Sequence, residues 1–339
     1  MKDYKIPRSL SPFQKKLYMH LIDWKWRHVT EDEGYSTYRG SRIAYDAIIP
    51  ERLHSTLSNI YPGIRDPLIE HNKAFRVKIH RYFHHMASSQ AAAVNLFLPI
   101  LNSPLAEKIL NTIKPDLKTI ARDHLFSGFR FEYWDGIRNN DSGLLGDHNA
   151  RSGTDADIAI AYRNQDNELC LWLIEHKLGE KEFTDCGGYE ARREHGSDRL
   201  CAISYKDIME DHGHCYYNSV RHTKYWEITS NNKDIYTPCN SYETCPFRGG
   251  VNQLWRNQLL GLAIVSDSKT DFKHMHLSVV KHPQNASLDK TINQYKAMIS
   301  DQSNFSVFDS NDIIAQARMT GDKELVKWSD WYQDLYLDF

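Results

Sequence analysis

The sequence lacks the long apolar run that a membrane-spanning helix requires, since no stretch approaches about 18 consecutive apolar residues. The amino terminus, MKDYKIPRSLSPFQKK, also lacks the apolar block of a secretory signal. These two absences predict a soluble, cytoplasmic chain with no membrane partner.

The chain also lacks a strong charge of either sign, internal repeats and low-complexity tracts. Its 42 basic and 44 acidic side chains leave a formal net charge of −2, so any surface that binds an anion must be local. A hydrophobic content of 41% is enough for a buried interior and argues against disorder. The length of 339 residues suits one large domain or a core with an appendage.

The order of apolar patterns predicts a mixed α/β fold. Helical spacing dominates the first third, starting with the segment 11–29 behind Ser11 and Pro12. Three strands follow, one in 128–136 and two in 155–177, and then a helix over 249–265 and a strand over 274–282. We expect helices on both sides of a mixed central β-sheet, with helical additions at both ends.

The same patterns predict divisions of the chain. These are an N-terminal helical region (1–86), a core (87–300) with an insertion at about 179–248, and a C-terminal helical region (301–339). Smaller elements predicted are irregular structure over 31–64 and helices over 66–86, 116–126, 198–210 and 218–228.

The stretch DADIAIAYRNQDNELCLWLIEHK (155–177) places charges at the ends of two apolar runs. Alternation along a strand puts Glu175 and Lys177 on one face, and a hairpin would bring Asp157 beside them. Two adjacent buried carboxylates repel each other unless a cation compensates them. Mg²⁺ accepts one or two carboxylates and leaves positions for phosphate oxygens, so these residues predict metal-dependent phosphodiester hydrolysis.

Asp157 and the Glu175-His176-Lys177 triplet resemble the signature of the PD-(D/E)XK nuclease superfamily, in which an acid opens one strand and Glu-x-Lys ends the next. The segments SSQAAAVNLFLPIL and CPFRGGVNQLWRNQLLGLAI also resemble segments of bacterial restriction-endonuclease-like proteins, so the resemblance covers roughly 85–300. The first half of the signature departs from the pattern, because Thr154-Asp155-Ala156-Asp157 has no proline and offers two acids. We prefer Asp157, which directly precedes the apolar run, and keep Asp155 in reserve.

The resemblance implies an endonuclease that cuts DNA, with Asp157 and Glu175 as ligands of Mg²⁺, or of Mn²⁺ as a substitute. Lys177 would position the attacking water. A restriction or phage-defence role fits the resemblance. The alternatives are a catalytically inactive nucleic-acid-binding module on the same fold, and a metal-stapled scaffold for protein interactions.

The superfamily often adds an acid from the preceding strand or helix and a Gln or basic residue from the following helix. Glu132 is therefore a candidate third metal ligand, with Glu107 as another acid in a suitable place, and both could equally be surface acids. Gln253 is a candidate active-site residue, and Arg256 shares its face of the helix. A polar stripe that faces water is the alternative for this pair.

The insertion contains most of the cysteines. Six cysteines in a chain of this kind argue against a disulfide framework and leave metal binding or burial. The group HGHC (212–215) with Cys239 and Cys245 is a candidate for structural zinc, or for an iron–sulphur site such as some nucleases of the superfamily carry. Free buried thiols are the alternative.

Two further interpretations concern partners. Basic residues in the insertion alternate with aromatic ones and could grip phosphates and stack on bases, although interspersed acids suit a mixed surface equally well. These basic residues are Arg192, Arg193, Arg199, Lys206, Arg221, Lys224 and Arg248. The C-terminal tryptophans could form a homodimer interface or cap the core.

Overall fold

A computed structural model describes residues 4–38, 40–75, 77–135, 142–149, 152–189 and 201–339. The strands in these residues are β1 (Gly34–Tyr38), β2 (Ser41–Tyr45), β3 (Thr119–Ile120), β4 (Phe129–Tyr133), β5 (Ala156–Arg163), β6 (Leu169–Lys177), β7 (His274–Lys281) and β8 (Phe305–Asp309). A central mixed sheet has the order β3-β5-β6-β7-β8, and β4 also pairs with β5. The β4-β5 and β5-β6 pairs are antiparallel, whereas β6-β7 and β7-β8 are parallel.

The helices in the described residues are α1 (Pro12–His28), α2 (Arg65–Ala74), α3 (Ser89–Leu101), α4 (Ala106–Leu110), α5 (Tyr205–Glu210), α6 (Tyr216–Ser219), α7 (Tyr225–Asn231), α8 (Val251–Ser266), α9 (Asp289–Met298), α10 (Ser310–Met319) and α11 (Lys323–Tyr336). The first helix begins as its sequence predicts, since Ser11 and Gln14 form a capping box and Pro12 occupies the first turn. Among the described helices, none combines the length and apolarity that crossing a bilayer requires.

Both faces of the central sheet are buried, and each face carries its own core. Ile160 of β5 and Trp172 of β6 pack on one side with residues of α1, α3, α10 and α11. Ala159 and Leu173 pack on the other side with residues of α8, α9 and the insertion. Because successive side chains of a strand alternate between faces, the continuous apolar runs of β5 and β6 fit strands that are covered twice.

The turn between β5 and β6 fixes the register of this central pair. The Asn164 side-chain oxygen accepts hydrogen bonds from the backbone N–H groups of Asp166 (3.0 Å) and Glu168 (2.9 Å). Asn167 takes a left-handed conformation with φ of 62°, which asparagine tolerates better than most residues. As a result Ile158 lies opposite Ile174, and the charged ends of the two strands coincide.

Helix α8 lies on the parallel pair β6 and β7, close to the sheet. A Cβ atom added at Gly261 would stand 2.2 Å from Cε of Met275 and 3.3 Å from Cδ1 of Leu173. A methyl group at this position would have to displace the end of the Met275 side chain, so glycine favours the close approach of the helix to the strands. The polar residues in the first half of α8 therefore lie over the carboxyl end of β6.

The structure confirms the predicted fold class, a mixed α/β architecture with a central sheet flanked by helices. Several smaller predictions are wrong. The segment 31–64, expected to be irregular, contains the hairpin of β1 and β2. The helix predicted over 66–86 ends at Ala74, and the helix predicted over 116–126 is replaced by β3 and turns. In the second case Ala121 donates its N–H to the carbonyl of Ala161 at 2.8 Å, so contact with the sheet overrides the local helical pattern.

The insertion and the C-terminal region also differ in detail. Helix α5 begins at Tyr205 and α7 at Tyr225, both later than predicted, and residues 190–200 lie outside the described part of the chain. The region 301–339 is not wholly helical, because β8 pairs with β7 through Leu277 and Phe305. A five-residue strand next to a helix is too short to be recognised from its own periodicity.

The C-terminal helix α11 caps the core that contains α3. Its Trp328 is buried and donates a hydrogen bond from Nε1 to the carbonyl of Asn95 at 2.7 Å. The hydroxyl of Tyr336 accepts one from the Asn95 side chain at 3.0 Å. Of the two interpretations offered for the C-terminal tryptophans, Trp328 therefore follows the capping one. The domain boundaries themselves stay predictions.

Candidate active site

The register of β5 and β6 places Asp157 and Glu175 opposite each other. Ile158 pairs with Ile174, so the preceding residue of β5 meets the following residue of β6 at the end of the hairpin. Asp157 is further held by a hydrogen bond of 2.6 Å, which the backbone N–H of His176 donates to its Oδ2. The pair predicted from the sequence is thus brought together by strand register.

Lys177 joins this pair from the same face of β6. Its Nζ lies 2.9 Å from Oε1 of Glu175, and both side chains are almost fully buried. Burial acts to lower the pKa of Lys177, but the charges of Glu175, Glu180 and Asp157 outweigh it and leave the pKa above its usual value. The lysine is therefore a permanent cation in the site at neutral pH.

His176 points to the other face, as the alternation of β6 predicts. The hydroxyl of Ser89, at the start of α3, lies 3.0 Å from Nδ1 of His176 and donates a hydrogen bond of 2.7 Å to its carbonyl. Burial lowers the pKa of His176 to about 3, so the imidazole is neutral at physiological pH. This histidine fastens α3 to the sheet and does not face the acids.

Helix α8 supplies two amides that orient Glu175. Gln253 donates from Nε2 to Oε1 of Glu175 at 2.6 Å, and Asn257, one turn later, donates from Nδ2 to Oε2 at 2.7 Å. The oxygen of Gln253 accepts from Nζ of Lys177 at 3.2 Å and from the backbone N–H of Thr184 at 2.9 Å. Gln253 consequently bridges the acid and the lysine, and the pair Gln253 and Asn257 fixes both oxygens of Glu175.

Glu132 in β4 lies on the other side of Asp157. Phe131 pairs with Ile158 and Tyr133 with Ala156, which puts Glu132 across from Asp157. Glu132 has a φ of 48°, a left-handed conformation that costs energy for a residue other than glycine and is unusual in a strand. Burial, opposed by a hydrogen bond from Gln90 and reinforced by the charges of Asp155 and Glu175, raises the pKa of Glu132 to about 8.

The acids destabilise one another when no cation is present. Burial, followed by the charges of Glu175 and Glu132, raises the pKa of Asp157 well above its usual range, although Lys177 and the N–H of His176 act in the opposite direction. The single ammonium group of Lys177 therefore does not compensate the carboxylates fully. A divalent cation would supply the missing positive charge.

The donor set fits Mg²⁺. Among the described residues, no group of three or more His, Cys, Asp or Glu side chains is arranged to hold a metal ion. Magnesium does not require three, because it commonly binds one or two carboxylates and completes an octahedron with water and substrate oxygens. Asp157 and Glu175 meet that requirement, since three hydrogen bonds to Glu175 leave lone pairs of its two oxygens available.

The reserve acids of the sequence analysis have partners of their own, although the charge of Asp155 still acts on Glu175 and Glu132. Asp155 stands 3.2 Å from Nε2 of His148 through its Oδ1. Glu107 accepts a hydrogen bond from the backbone N–H of Ile120 at 3.3 Å and has Arg122 at 4.0 Å. Both acids have partners that account for them, so the geometry favours Asp157 over Asp155 and Glu132 over Glu107.

A polar cavity of about 300 Å³ lies between the loop before β5 and the insertion. Arg256 of α8 lines it, and its Nη1 donates to Oγ1 of Thr154 at 3.1 Å. The Arg256 side chain extends toward the loop before β5, where it binds Thr154. Gln253, in contrast, binds Glu175. Tyr217 and Arg221 of the insertion line the other side of the cavity.

In the described residues, the histidines and cysteines predicted as a metal site in the insertion do not form one cluster that could hold a metal ion. Nε2 of His212 lies 2.9 Å from the hydroxyl of Ser230, and His214 faces Asp211 at 3.8 Å. Cys239 is buried and donates from Sγ to the carbonyl of Met298 at 3.5 Å. These three residues have other partners in the described structure. A metal site in the insertion stays a prediction. Arg192, Arg193 and Arg199, named as phosphate contacts, lie outside the described residues.

Sequence reasoning did not single out Asn257, although it binds Glu175 directly. The available signal is its spacing of four residues from Gln253 within an otherwise apolar helix, which places both amides on one face. Gln90 was missed as well, because it reaches Glu132 from α3, a helix more than 40 positions away in the sequence.

The mixed sheet, the Asp157 and Glu175-x-Lys177 geometry, and the crossover helix that holds Glu175 define a protein of the restriction-endonuclease-like PD-(D/E)XK class. The chain belongs to the family described as restriction endonuclease associating with ARP, whose model matches residues 24–337. Membership of this family indicates a nuclease-like function. No curated protein matches the chain significantly, and no solved structure does either.

Proposed function

We propose that this protein is a Mg²⁺-dependent endonuclease that hydrolyses phosphodiester bonds in DNA. The observation that carries the proposal is the convergence of Asp157, Glu175 and Lys177 at one end of the β5-β6 hairpin. Two carboxylates with a buried ammonium group beside them suit phosphodiester hydrolysis, because the reaction needs a metal, an oriented water and compensation of developing negative charge.

Each residue has a distinct part in this proposal. Asp157 and Glu175 would hold Mg²⁺, with Mn²⁺ as a substitute, and Glu132 would provide a further oxygen. When bound, such an ion would supply polarisation of the phosphate and increase the acidity of nearby water. Lys177 orients the attacking water and stabilises the charge that develops on the phosphate. Gln253 holds the side chains of Lys177 and Glu175 in place relative to each other, and Asn257 holds the second oxygen of Glu175.

Metal binding and proton release are coupled in this site. Metal ligands are carboxylates in their ionised form, whereas Asp157 and Glu132 are both poised to hold protons when no cation is bound. Binding of Mg²⁺ should therefore displace protons and strengthen as the pH rises. The ammonium of Lys177 remains charged throughout, which suits its role toward a phosphate.

Cleavage assays with matched lysine variants test the proposal. Supercoiled plasmid and short duplex DNA are incubated with the wild-type protein in Mg²⁺, in Mn²⁺ and in chelator. Lys177→Ala should reduce the cleavage rate by at least about 100-fold, the usual cost of removing one group that stabilises a transition state. Lys181→Ala is the control, because Lys181 is exposed and binds only the carbonyl of Ser9. It should cut DNA like the wild type.

Two outcomes contradict the proposal. One is cleavage by Lys177→Ala at the wild-type rate. The other is a wild-type protein that binds DNA but cuts it under no Mg²⁺ or Mn²⁺ condition, which would leave a nucleic-acid-binding module on this fold. A crystal soaked in Mn²⁺ adds direct evidence, since anomalous density should lie between Asp157 and Glu175.

The family description supports a restriction or phage-defence role as part of the same proposal. Many endonucleases cut both strands of a duplex as dimers, so we propose that the protein acts as a homodimer on DNA. Sedimentation with and without a DNA duplex measures this, and a monomer that cuts both strands at one position in a single turnover would contradict it.

A further inference from the structure

The polar cavity between the loop before β5 and the insertion, here called the insertion cavity, has no part in the proposed cleavage. Its volume is about 300 Å³. This volume lies at the lower end of the range for small-molecule sites, roughly 300–1,000 Å³, and is far more than the roughly 30 Å³ that one water occupies in the liquid. The insertion cavity therefore has room for a small organic ligand, and not only for an ion.

Arg256 of α8 lines the insertion cavity and is held in place by its neighbours. Its Nε donates to Oδ1 of Asn252 at 3.0 Å, and its Nη1 donates to Oγ1 of Thr154 at 3.1 Å. The hydroxyl of Tyr225 contacts the guanidinium as well. A guanidinium has five N–H groups, so these described partners engage at most three of them. At least two N–H groups of a positioned arginine are left for a ligand.

The wall of the insertion cavity carries more positive than negative charge. Its acid, Asp147, already accepts hydrogen bonds at Oδ2 from the hydroxyls of Thr154 and Tyr225, and its Oδ1 is buried. Arg221 adds a second guanidinium to that of Arg256, so the wall has two arginines and one aspartate. Such a wall favours an anionic ligand.

Aromatic rings form the insertion side of the cavity. The rings of Tyr217 and Tyr225 meet edge to face, with their centroids 5.2 Å apart. The hydroxyl of Tyr217 accepts a hydrogen bond from the backbone N–H of Gly187 at 3.1 Å, which fixes this ring. The guanidinium of Arg221 lies over the ring of Tyr216 at 5.9 Å. Nucleobases stack on such rings and on guanidinium planes, so this side suits a base while Arg256 suits a phosphate.

The segments that form the insertion cavity also form the acid site. Thr154 precedes Asp157 by three residues, and Arg256 follows Gln253 by three residues, about 4.5 Å along the axis of α8. The segment after β6 contributes to both, since the backbone N–H of Thr184 binds Gln253 at 2.9 Å and the chain then reaches the cavity. A ligand in the insertion cavity would thus be held by the same three segments as the proposed metal ligands.

We propose that the insertion cavity binds a nucleotide, with its phosphate group on the guanidinium of Arg256 and its base against the tyrosine rings of the insertion. The nucleotide is a unit of a nucleic-acid strand or a free molecule, since both present the same phosphate and base. Arg221, which is exposed, adds a second contact to the phosphate. The proposal concerns recognition and does not rest on the proposed cleavage.

Binding measurements on the full-length protein in chelator test the proposal, because the acids then hold no metal and no strand is cut. Calorimetry is carried out with the four deoxynucleoside monophosphates, the matching nucleosides and inorganic phosphate. Anisotropy is measured with labelled single-stranded and duplex DNA. A mononucleotide that binds at least 10-fold more tightly than its nucleoside and than phosphate supports the proposal with a free nucleotide as ligand. Binding of DNA alone, weakened by the variants below, supports it with a strand as ligand.

Arg256→Gln removes the charge that should hold the phosphate. Its affinity for the nucleotide or strand should fall by at least about 10-fold, because charge-assisted hydrogen bonds to the phosphate are lost. Arg163→Gln is the matched control, since Arg163 lies at the opposite end of β5 and binds Asp123 at 3.4 Å. It should bind like the wild type. Unchanged affinity of Arg256→Gln overturns the proposal, and so does a wild-type protein that binds neither nucleotide nor DNA or binds phosphate as tightly as any nucleotide.

A second variant decides if Arg256→Gln does not fold. Arg221→Glu reverses a charge on an exposed side chain of the cavity wall and should weaken binding by at least about 5-fold. Lys233→Glu makes the same change at an exposed position of the insertion outside the cavity wall and should have no effect. Equal affinities of these two variants overturn the proposal. A protein that binds as expected but cuts no DNA in Mg²⁺ or Mn²⁺ contradicts only the proposed cleavage.

Discussion

Replacing Glu132 by glutamine should stabilise the metal-free protein. The pKa of Glu132 rises from 4.5 to about 8 in the folded state, chiefly because of burial. At pH 7 the folded chain keeps the proton and the unfolded chain releases it, so the carboxyl lowers the free energy of unfolding. At about 1.4 kcal/mol per pKa unit the effect is at most about 3 kcal/mol, and solvent contact of this half-buried residue reduces it to roughly 1–3 kcal/mol.

The pH dependence of this gain has a definite sign. A carboxyl whose pKa is raised on folding destabilises the folded state above its unfolded pKa, and the penalty grows until the pH passes the folded pKa. The advantage of Glu132→Gln should therefore be small near pH 5, large at pH 7 and constant above about pH 8. Glutamine keeps the shape and can still accept the hydrogen bond from Gln90.

Thermal unfolding in chelator at pH 5, 7 and 8 measures the effect. For a chain of this length, 1–3 kcal/mol corresponds to an increase in Tm of about 1–4 °C at pH 7. Glu107→Gln is the matched control, because Glu107 has a backbone N–H and Arg122 as partners and lies outside the acid pair. In Mn²⁺ the difference in Tm between Glu132→Gln and the wild type should become smaller or change sign, since the wild type gains more stability from the ion than the variant does.

The reasoning is refuted if Glu132→Gln has the same Tm as the wild type, or a lower one, at both pH 7 and pH 8 in chelator. A gain that is equal at all three pH values would also refute it, because the effect would then be independent of ionisation.

Three further predictions follow from the site and its support. Asn257→Ala should weaken Mn²⁺ binding by about 10–100-fold in calorimetry while Lys181→Ala leaves it unchanged, because one oxygen of Glu175 loses its orienting partner; equal affinity in both variants would show that Asn257 does not orient the ligand. The rate of cleavage in limiting Mg²⁺ should rise as the pH approaches and passes the pKa of about 8 of Glu132, and the raised pKa of Asp157 acts in the same direction; a flat profile would contradict this. Gly261→Ala should reduce the free energy of unfolding in urea by about 1–3 kcal/mol because a methyl group meets Met275, and a loss below the error of the measurement would show that α8 can move away.

Local sequence was sufficient for the centre of the site. Alternation along β6 places Glu175 and Lys177 on one face whatever surrounds the strand, and the short polar turn leaves the hairpin little choice of register. Local sequence also favoured Asp157 over Asp155, because Asp157 directly precedes the apolar run. These properties depend on covalent geometry and on contacts within about 20 residues.

The rest depended on contacts between distant segments. The sequence alone determined a mixed α/β chain with an acid pair and a lysine at one hairpin end. Only the tertiary structure decided that Asn257 binds Glu175 and that Glu132 lies across from Asp157. Such contacts are fixed by how elements pack, and packing distances leave no periodic signal in any one segment.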